Sequence, residues 1–296
     1  MSLQEFLQFV FAGITSGSVY ALTALGFTLI YNATGIINFA QGEFVMLGGL
    51  AAVSLHSGGA PLALAAIGAV AVVTVVGLLF ELLAIRPLLN ASILAQIIVT
   101  VGASLALRTA AMLVWGREAV ALPAFTERAP LSVFGATVVA QTLWVLGVTA
   151  LIVIALQVFY RRTMLGKAVR ACAVNPMAAR LLGIPYGRVV LLTFGASAAV
   201  AAAGGVLITP ISFMSYSSGA LIGLKGFAAA ILGGLGSPAG AVAGGLTLGL
   251  LESLSVGLLP WSGTSGYKDA IAFLILLLVL FARPQGLLGQ RSAQKV

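Results

Sequence analysis

The sequence has very few charged residues. Only 7% of its 296 residues are Asp, Glu, Lys or Arg, whereas 60% are hydrophobic. Soluble globular domains carry about 25% charged residues, because water must wet their surfaces. A chain of this composition cannot cover its apolar residues with a polar surface. The composition therefore excludes a soluble globular protein and predicts an integral membrane protein.

Cysteine and histidine are almost absent as well. Cys172 and His56 are single residues of their kinds, which excludes an intramolecular disulfide and any cluster of cysteines or histidines around a metal ion. A Ser/His/Asp triad would have only one imidazole available. The sequence also contains no Gly-x-x-x-x-Gly-Lys-Ser/Thr phosphate loop, so any ATP that drives its function must be bound by another polypeptide. We expect no cofactor, no metal site and no catalytic activity in this chain.

Acidic residues are scarcer than basic ones, and the formal net charge is +8. The basic residues lie mainly in short connections between apolar segments, which is typical of cytoplasmic loops and not of a nucleic-acid-binding patch. The segment 161–188 has no acidic residue and is predicted to be a cytoplasmic loop. Its basic residues are Arg161, Arg162, Lys167, Arg170, Arg180 and Arg188.

Two further segments follow from the same rule. The tail 283–296 carries Arg283, Arg291 and Lys295 and is predicted to be cytoplasmic. The loop 116–140 is predicted to be periplasmic and free to contact a binding protein. Its basic residues Arg117 and Arg128 are balanced by Glu118 and Glu127.

Long uncharged stretches set the predicted fold class. The chain has no charged residue between Glu5 and Glu43 or between Glu43 and Glu81, and each stretch exceeds the roughly 20 residues of one spanning helix. We therefore predict one all-α, polytopic membrane domain over 1–296, with about 8 to 9 transmembrane helices and broken or re-entrant segments. The predicted helices lie near 6–31, 40–55, 61–83, 93–115, 141–160, 189–209, 219–233, 239–257 and 267–282, of which 219–233 is short enough to be re-entrant.

Glycine is abundant, with 36 residues. Four-residue spacing at Gly13/Gly17, Gly236/Gly240/Gly244 and Gly245/Gly249 is typical of close helix packing in membranes. Two other glycine-rich stretches, 34–43 and 223–238, contain polar residues inside apolar sequence, one in each half of the chain. Such interruptions indicate a transport path. The candidate path residues are Asn38, Gln41, Glu43 and Lys225.

Ionisable residues within apolar segments are expensive in hydrocarbon and are therefore functional candidates. Glu43 and Lys225 are predicted either to line a wet path or to form a structural polar contact, and the sequence leaves both open. Arg108 is predicted to extend along its helix towards the membrane surface. Glu252 is predicted to be interfacial, and Asp269 to mark the external start of the last helix.

One short helix is predicted within the cytoplasmic loop. Asn175 can cap it, Pro176 suits its first turn, Gly183 suits a left-handed end, and Pro185 prevents continuation. With Ala178 and Ala179 predicted on its surface, this helix could dock on a partner protein or lie on anionic lipid.

This loop resembles the cytoplasmic Glu-Ala-Ala loop of ABC importer permeases, in the variant without the initial Glu that is typical of branched-chain amino-acid and ribose-type permeases. The segments 13–22, 38–43, 223–237 and 283–289 resemble the LivH-type subfamily of those permeases. The resemblance covers essentially the whole chain. It implies that the loop couples to an ATPase through Asn175, Ala178, Ala179, Arg180, Gly183 and Ile184.

The resemblance also implies a location and partners. The expected protein is a multi-pass permease subunit of the bacterial inner membrane that moves a branched-chain or related amino acid into the cytoplasm by alternating access. Its expected partners are two cytoplasmic ATP-binding subunits, a sister permease, a periplasmic amino-acid-binding protein and membrane lipid. Alternatives are another small cargo, such as an amide, urea or a sugar, or a self-sufficient secondary transporter or channel in which Glu43 and Lys225 couple protons or bind ions.

Overall fold

A computed structural model describes residues 2–89, 91–127, 129–133, 135–258, 264–283 and 285–289. Arg128 and residues 290–296 of the predicted tail, with Arg291 and Lys295, lie outside these residues. The described helices are α1 (Leu3–Thr34), α2 (Gln41–Ser57), α3 (Leu62–Phe80), α4 (Ile93–Trp115), α5 (Ala140–Arg162), α6 (Met164–Val174), α7 (Pro176–Leu181), α8 (Tyr186–Ile208), α9 (Ser218–Gly233), α10 (Pro238–Leu258) and α11 (Thr264–Ala282). A π-helical turn, Glu81–Ile85, and a 3-10 turn, Arg86–Leu88, extend α3.

The predicted class, an all-α polytopic membrane protein, is confirmed. Within the described part of the chain, six helical segments are long and apolar enough to cross a membrane: α1, Leu62–Leu88, α4, α5, α8 and α10. The helix α9 is shorter but also apolar. Two elements were not predicted, namely α6 and a small antiparallel hairpin of β1 (Leu131–Val133) and β2 (Ala136–Val138).

The helices α1 and α8 lie at the centre of the bundle and are mostly covered by protein, whereas α4 and α5 expose most of their apolar residues. Small residues bring α1 close to α10. A Cβ atom on Gly17 would lie 2.9 Å from the carbonyl oxygen of Gly245, and one on Gly13 would lie 2.9 Å from that of Gly249. The predicted close packing is therefore confirmed for these four glycines.

Gly236 has a different role from the one predicted. It lies in the turn between α9 and α10 with a φ of 94°, which a glycine adopts without strain. The turn is held by Asn32, whose side-chain amide donates to the Gly236 carbonyl at 2.9 Å. Gly236 thus allows α10 to fold back on α9, and it is not a helix-packing residue.

The loops at the N-terminal end of α1 are tied together. Gln8 on α1 exchanges two hydrogen bonds with Thr137 of β2, at 3.1 and 2.9 Å. The segment after α8 joins the same region through paired backbone bonds between Val120 and Met214, both 2.8 Å long. These contacts place the loop 116–140 and the α8–α9 connection at one end of the bundle.

Candidate functional site

A buried ionic cluster surrounds Lys225, which is 7% exposed. Its ammonium group lies 2.9 Å from Glu252 Oε1 and 2.7 Å from Asp269 Oδ1. It also donates to the Tyr20 hydroxyl at 3.2 Å, and that hydroxyl donates to Glu252 Oε2 at 3.0 Å. The ammonium thus donates hydrogen bonds to Glu252 and Tyr20 and forms an ion pair with Asp269. The cluster joins α1, α9, α10 and α11.

This cluster corrects two predictions. Glu252 is not interfacial, because it is 6% exposed and bonded to Lys225. Asp269 does not mark the start of the last helix, because α11 begins at Thr264, and the Asp269 carboxylate contacts the same ammonium. Both carboxylates compensate the positive charge of Lys225, whose burial alone would be costly.

A cavity of about 380 Å³ lies beside this cluster, with Lys225 and Glu252 in its wall. Its lining includes hydroxyl groups of Thr15, Ser16 and Thr142. The lining also includes apolar side chains from α1, α9, the end of α8 and the turn that follows α8. Its apolar residues include Phe11, Val19, Ile208, Ile211, Leu221 and Ile222. The cavity also reaches Gln8 and residues 137–139, so it lies toward the end of the bundle that holds the loop 116–140.

A second buried cluster is centred on Glu43 in the first turn of α2. Its Oε1 atom accepts from Arg108 at 3.1 Å and from the Ser104 hydroxyl at 2.9 Å. Arg108 therefore points towards another helix of the bundle and is not directed along its own helix to the membrane surface, contrary to the prediction. The side chain of Arg108 is 30% exposed and that of Glu43 only 1%, so the ion pair tethers α2 to the outer helix α4.

The segment before α2 is non-helical and buried. Gly35 ends α1 with a φ of 73°, and the chain stays irregular until α2 begins at Gln41. Asn38 is fully buried, and its Oδ1 accepts the Ala40 amide hydrogen at 3.1 Å. Irregular backbone at such depth is tolerated where protein or a wet cavity surrounds it. The predicted interruption of the helix is therefore present.

Gln41 shows how deep α2 begins. Its Oε1 accepts from the hydroxyl of Ser197, which lies in the middle of α8, at 2.8 Å. The carbonyl of Gly26 in α1 lies 2.9 Å from the same hydroxyl and shares its single hydrogen. The helix α2 thus starts within the bundle and not at its end.

The predicted path residues are all buried but fall into two groups. Asn38, Gln41 and Glu43 lie together at the start of α2, whereas Lys225 belongs to the cluster on α9. The two groups meet through glycines, since a Cβ atom on Gly42 would lie 2.6 Å from the Gly223 Cα atom. The start of α2 therefore packs directly on the helix that carries Lys225.

The loop 161–188 folds as two consecutive helices. The helix α6 was not predicted, whereas α7 begins after Asn175, whose Oδ1 accepts the amide hydrogens of Met177 and Ala178 at 3.0 and 3.1 Å. The chain turns after α7 at Gly183, with a φ of 81°, as the sequence predicted. Arg180 lies over the ring of Tyr186, 4.3 Å from its centre.

The two alanines of α7 differ in exposure, which corrects the prediction that both lie on the surface. Ala178 is exposed. Ala179 is only 2% exposed and packs with Val169, Cys172 and Val189 of the same chain. Its carbonyl also accepts the Ile184 amide hydrogen at 3.0 Å. Burial raises the pKa of the Cys172 thiol above its ordinary value.

Sequence reasoning missed Ser104 and Tyr20, and it misplaced Arg108, Glu252 and Asp269. The sequence did contain one indication of these ion pairs, because a single charged residue in an apolar helix usually pairs with an opposite charge in another helix. Among the described residues, no group of three or more His, Cys, Asp or Glu side chains is placed to hold a metal ion.

Comparison with known proteins gives consistent matches over the whole chain. Residues 9–280 match the family model described as "Branched-chain amino acid transport system / permease component". The chain is 37% identical to the high-affinity branched-chain amino acid transport system permease protein LivH of Escherichia coli (strain K12), over 98% of both chains. It is 35% identical to the corresponding protein BraD of Pseudomonas aeruginosa, over 99% of both. It is 29% identical to the probable branched-chain amino acid transport permease protein LivH of Methanocaldococcus jannaschii, over 93% of this chain and 90% of that protein.

Proposed function

This chain belongs to the family of permease components of branched-chain amino acid transport systems, and from this membership we propose that it carries branched-chain amino acids in an ATP-driven importer. It is a multi-pass permease of the bacterial inner membrane, a transport component and not an enzyme. The proposed importer has two cytoplasmic ATP-binding subunits, this chain with a sister permease, and a periplasmic amino-acid-binding protein.

The proposed topology follows the charges. With the loop 161–188 in the cytoplasm, the loop 116–140 faces the periplasm and the tail 283–296 returns to the cytoplasm. This arrangement requires nine crossings, in which α2 and α9 each cross together with the irregular backbone next to them. The hydrogen bonds that join the loop 116–140 to the N-terminal end of α1 agree with a shared external side.

The proposed path runs from the cavity beside Lys225 to the buried start of α2. A cavity lined by both hydroxyl groups and apolar side chains fits an amino acid with a polar backbone and an apolar side chain. Deeper in the bundle, Asn38 Nδ2 and Glu43 Oε2 have no hydrogen-bond partner among the described residues. These atoms are available to water or to the polar groups of a cargo.

The exposed surface of α7 is the observation that supports the proposed coupling to an ATP-binding subunit. The helix is capped and leaves the bundle with Ala178 exposed and with large apolar side chains uncovered by the described part of the chain. Met177 is 68% exposed, Leu181 83% and Leu182 81%. We propose that this surface, with Asn175, Arg180, Gly183 and Ile184, docks on an ATP-binding subunit.

Replacing Ala178 with Arg tests the docking. The long charged side chain should prevent close contact and abolish both leucine uptake and co-purification of the ATP-binding subunits, while membrane insertion stays normal. Ala119→Arg, an exposed position in the loop 116–140 at the opposite end, is the matched control and should leave the co-purification of the ATP-binding subunits unchanged. Normal uptake and normal subunit stoichiometry with Ala178→Arg would contradict the proposal. Ala179→Arg is unsuitable, because Ala179 is buried in this chain's own core.

The cargo needs a separate measurement. Competition of radiolabelled leucine uptake by valine, isoleucine, urea, short amides and ribose distinguishes the proposed amino acids from the other small cargoes. Inhibition by valine and isoleucine alone is expected. Inhibition by urea, an amide or ribose would contradict the proposed cargo and would indicate that the permease carries that compound.

A further inference from the structure

An apolar groove of about 420 Å³ opens on the face formed by α5 and α8. Leu29 of α1 lies in its floor, and Leu165 and Val169 of α6 close one end. The polar groups in the lining are few: the Tyr160 hydroxyl and the Thr193 hydroxyl, which donates to the Val189 carbonyl at 2.7 Å. The groove is therefore a place for hydrocarbon and not for a polar ligand.

Basic residues are neighbours in sequence of the lining residues at the closed end of this groove. Arg161 and Arg162 directly follow the lining residue Tyr160, and Arg170 follows the lining residue Val169. Lys167 and Arg188 lie equally close in sequence to lining residues, and all five basic side chains are exposed. None of the five has an ion-pair partner among the described residues.

The helix α6 positions this charge at the groove. Gly166 packs against the end of α5, since a Cβ atom there would lie 2.6 Å from the Tyr160 Cα atom. Val169 and Cys172 face the protein, whereas Lys167 and Arg170 face away from it. This orientation leaves the basic side chains of α6 on the outside of the bundle, where they are free to contact lipid headgroups.

From these observations we propose that the groove is a binding site for an anionic phospholipid of the cytoplasmic leaflet. One acyl chain fills the groove between α5 and α8, and the phosphate contacts the basic residues at its closed end. Basic pockets between transmembrane helices on the cytoplasmic side bind anionic headgroups, because two or more positive charges compensate the phosphate. The proposal rests on the cytoplasmic position of the loop 161–188 but not on the identity of the cargo.

Native mass spectrometry of the chain, purified in mild detergent with its partner subunits, tests the site. Phosphatidylglycerol and phosphatidylcholine with the same acyl chains are titrated separately, so that only the headgroup differs. We expect one phosphatidylglycerol per chain to bind before phosphatidylcholine does. In the double variant Arg161→Gln/Arg162→Gln, phosphatidylglycerol should bind about thirty-fold more weakly. Arg117→Gln, at an exposed arginine of the opposite end, should bind it normally.

A second variant tests the groove itself. Ala155 lies in the groove lining on the exposed side of α5, so Ala155→Trp should occupy the acyl-chain site and remove the bound phosphatidylglycerol. Ala150→Trp, at an exposed position of the same helix outside the lining, is the control and should retain it. Equal binding of the two lipids, or unchanged binding with Ala155→Trp, would overturn the proposal. Loss of a permease subunit from the Ala155→Trp complex would also overturn it, because the groove would then be a subunit interface.

Discussion

At the scale of single residues, the two ionic clusters pair their buried charges. Lys225 is paired with Glu252 and Asp269, and Glu43 is paired with Arg108. A buried ion pair is weak evidence for stability, because desolvation offsets much of the Coulomb attraction. Removing one partner lowers the stability of the fold, since the remaining charge is then buried without compensation.

The variant Lys225→Met tests this compensation. It leaves Glu252 and Asp269 facing each other without a cation, and we expect it to lower the free energy of unfolding by about 3–5 kcal/mol. Thermal unfolding in detergent measures the change. Lys167→Met, at an exposed lysine of α6, should change stability by no more than about 0.5 kcal/mol. Equal effects of the two changes would show that Lys225 is solvated and not part of a buried cluster.

The sequence pointed to Glu43 and Lys225 because each is a charged residue among glycines. It did not show their partners. Glu43 and Arg108 are 65 residues apart, and Lys225 and Glu252 are 27 residues apart, on different helices. Which helices become neighbours depends on packing over the whole bundle, and the sequence of one helix does not contain that information. For this reason Arg108 and Glu252 were both assigned to the membrane surface.

At the scale of helices, glycine determines which ones pack closely. The apolar runs predicted most helix boundaries to within a few residues, because the membrane fixes the length of a spanning helix. The caps of α7 were also predictable, since Asn, Pro and Gly act locally. The helix α6 was not predicted, because its 11 residues are too few to span a membrane and it lies in the segment 161–188, which its basic residues and lack of acidic ones assigned to a loop.

Gly249→Val tests the contact between α1 and α10. A Cβ atom at Gly249 would overlap the backbone of Gly13 and Gly17. We therefore expect the variant to lose about 1–3 kcal/mol of stability and to transport poorly. Gly102 of α4 has open space around it, so Gly102→Ala should be neutral or stabilise the helix by roughly 0.5–1 kcal/mol. Thermal unfolding measures the stability of both variants, and leucine uptake measures their transport. Normal stability of Gly249→Val would contradict the close packing.

At the scale of the whole molecule, orientation in the membrane can be checked with thiol labelling. In a Cys172→Ser background, single cysteines at Ala124 and Ser16 should react with a membrane-impermeant thiol reagent on intact cells. Ala124 lies in the predicted periplasmic loop, and Ser16 lines the cavity beside Lys225. A cysteine at Ser292 in the tail should be protected, because the basic residues hold the tail inside. Labelling at 292 as strong as at 124 would mean that both positions lie outside, so that the chain crosses the membrane an even number of times between them.

We propose that this chain is the transport path of an ATP-driven importer and does not itself drive transport. Reconstitution in proteoliposomes tests this most directly, with the chain purified alone or together with its sister permease, ATP-binding subunits and binding protein. We expect leucine to accumulate only with the complete set of subunits, ATP and the binding protein, and we expect no transport by the chain alone. Leucine accumulation by the chain alone, driven by a proton or ion gradient without ATP, would contradict it.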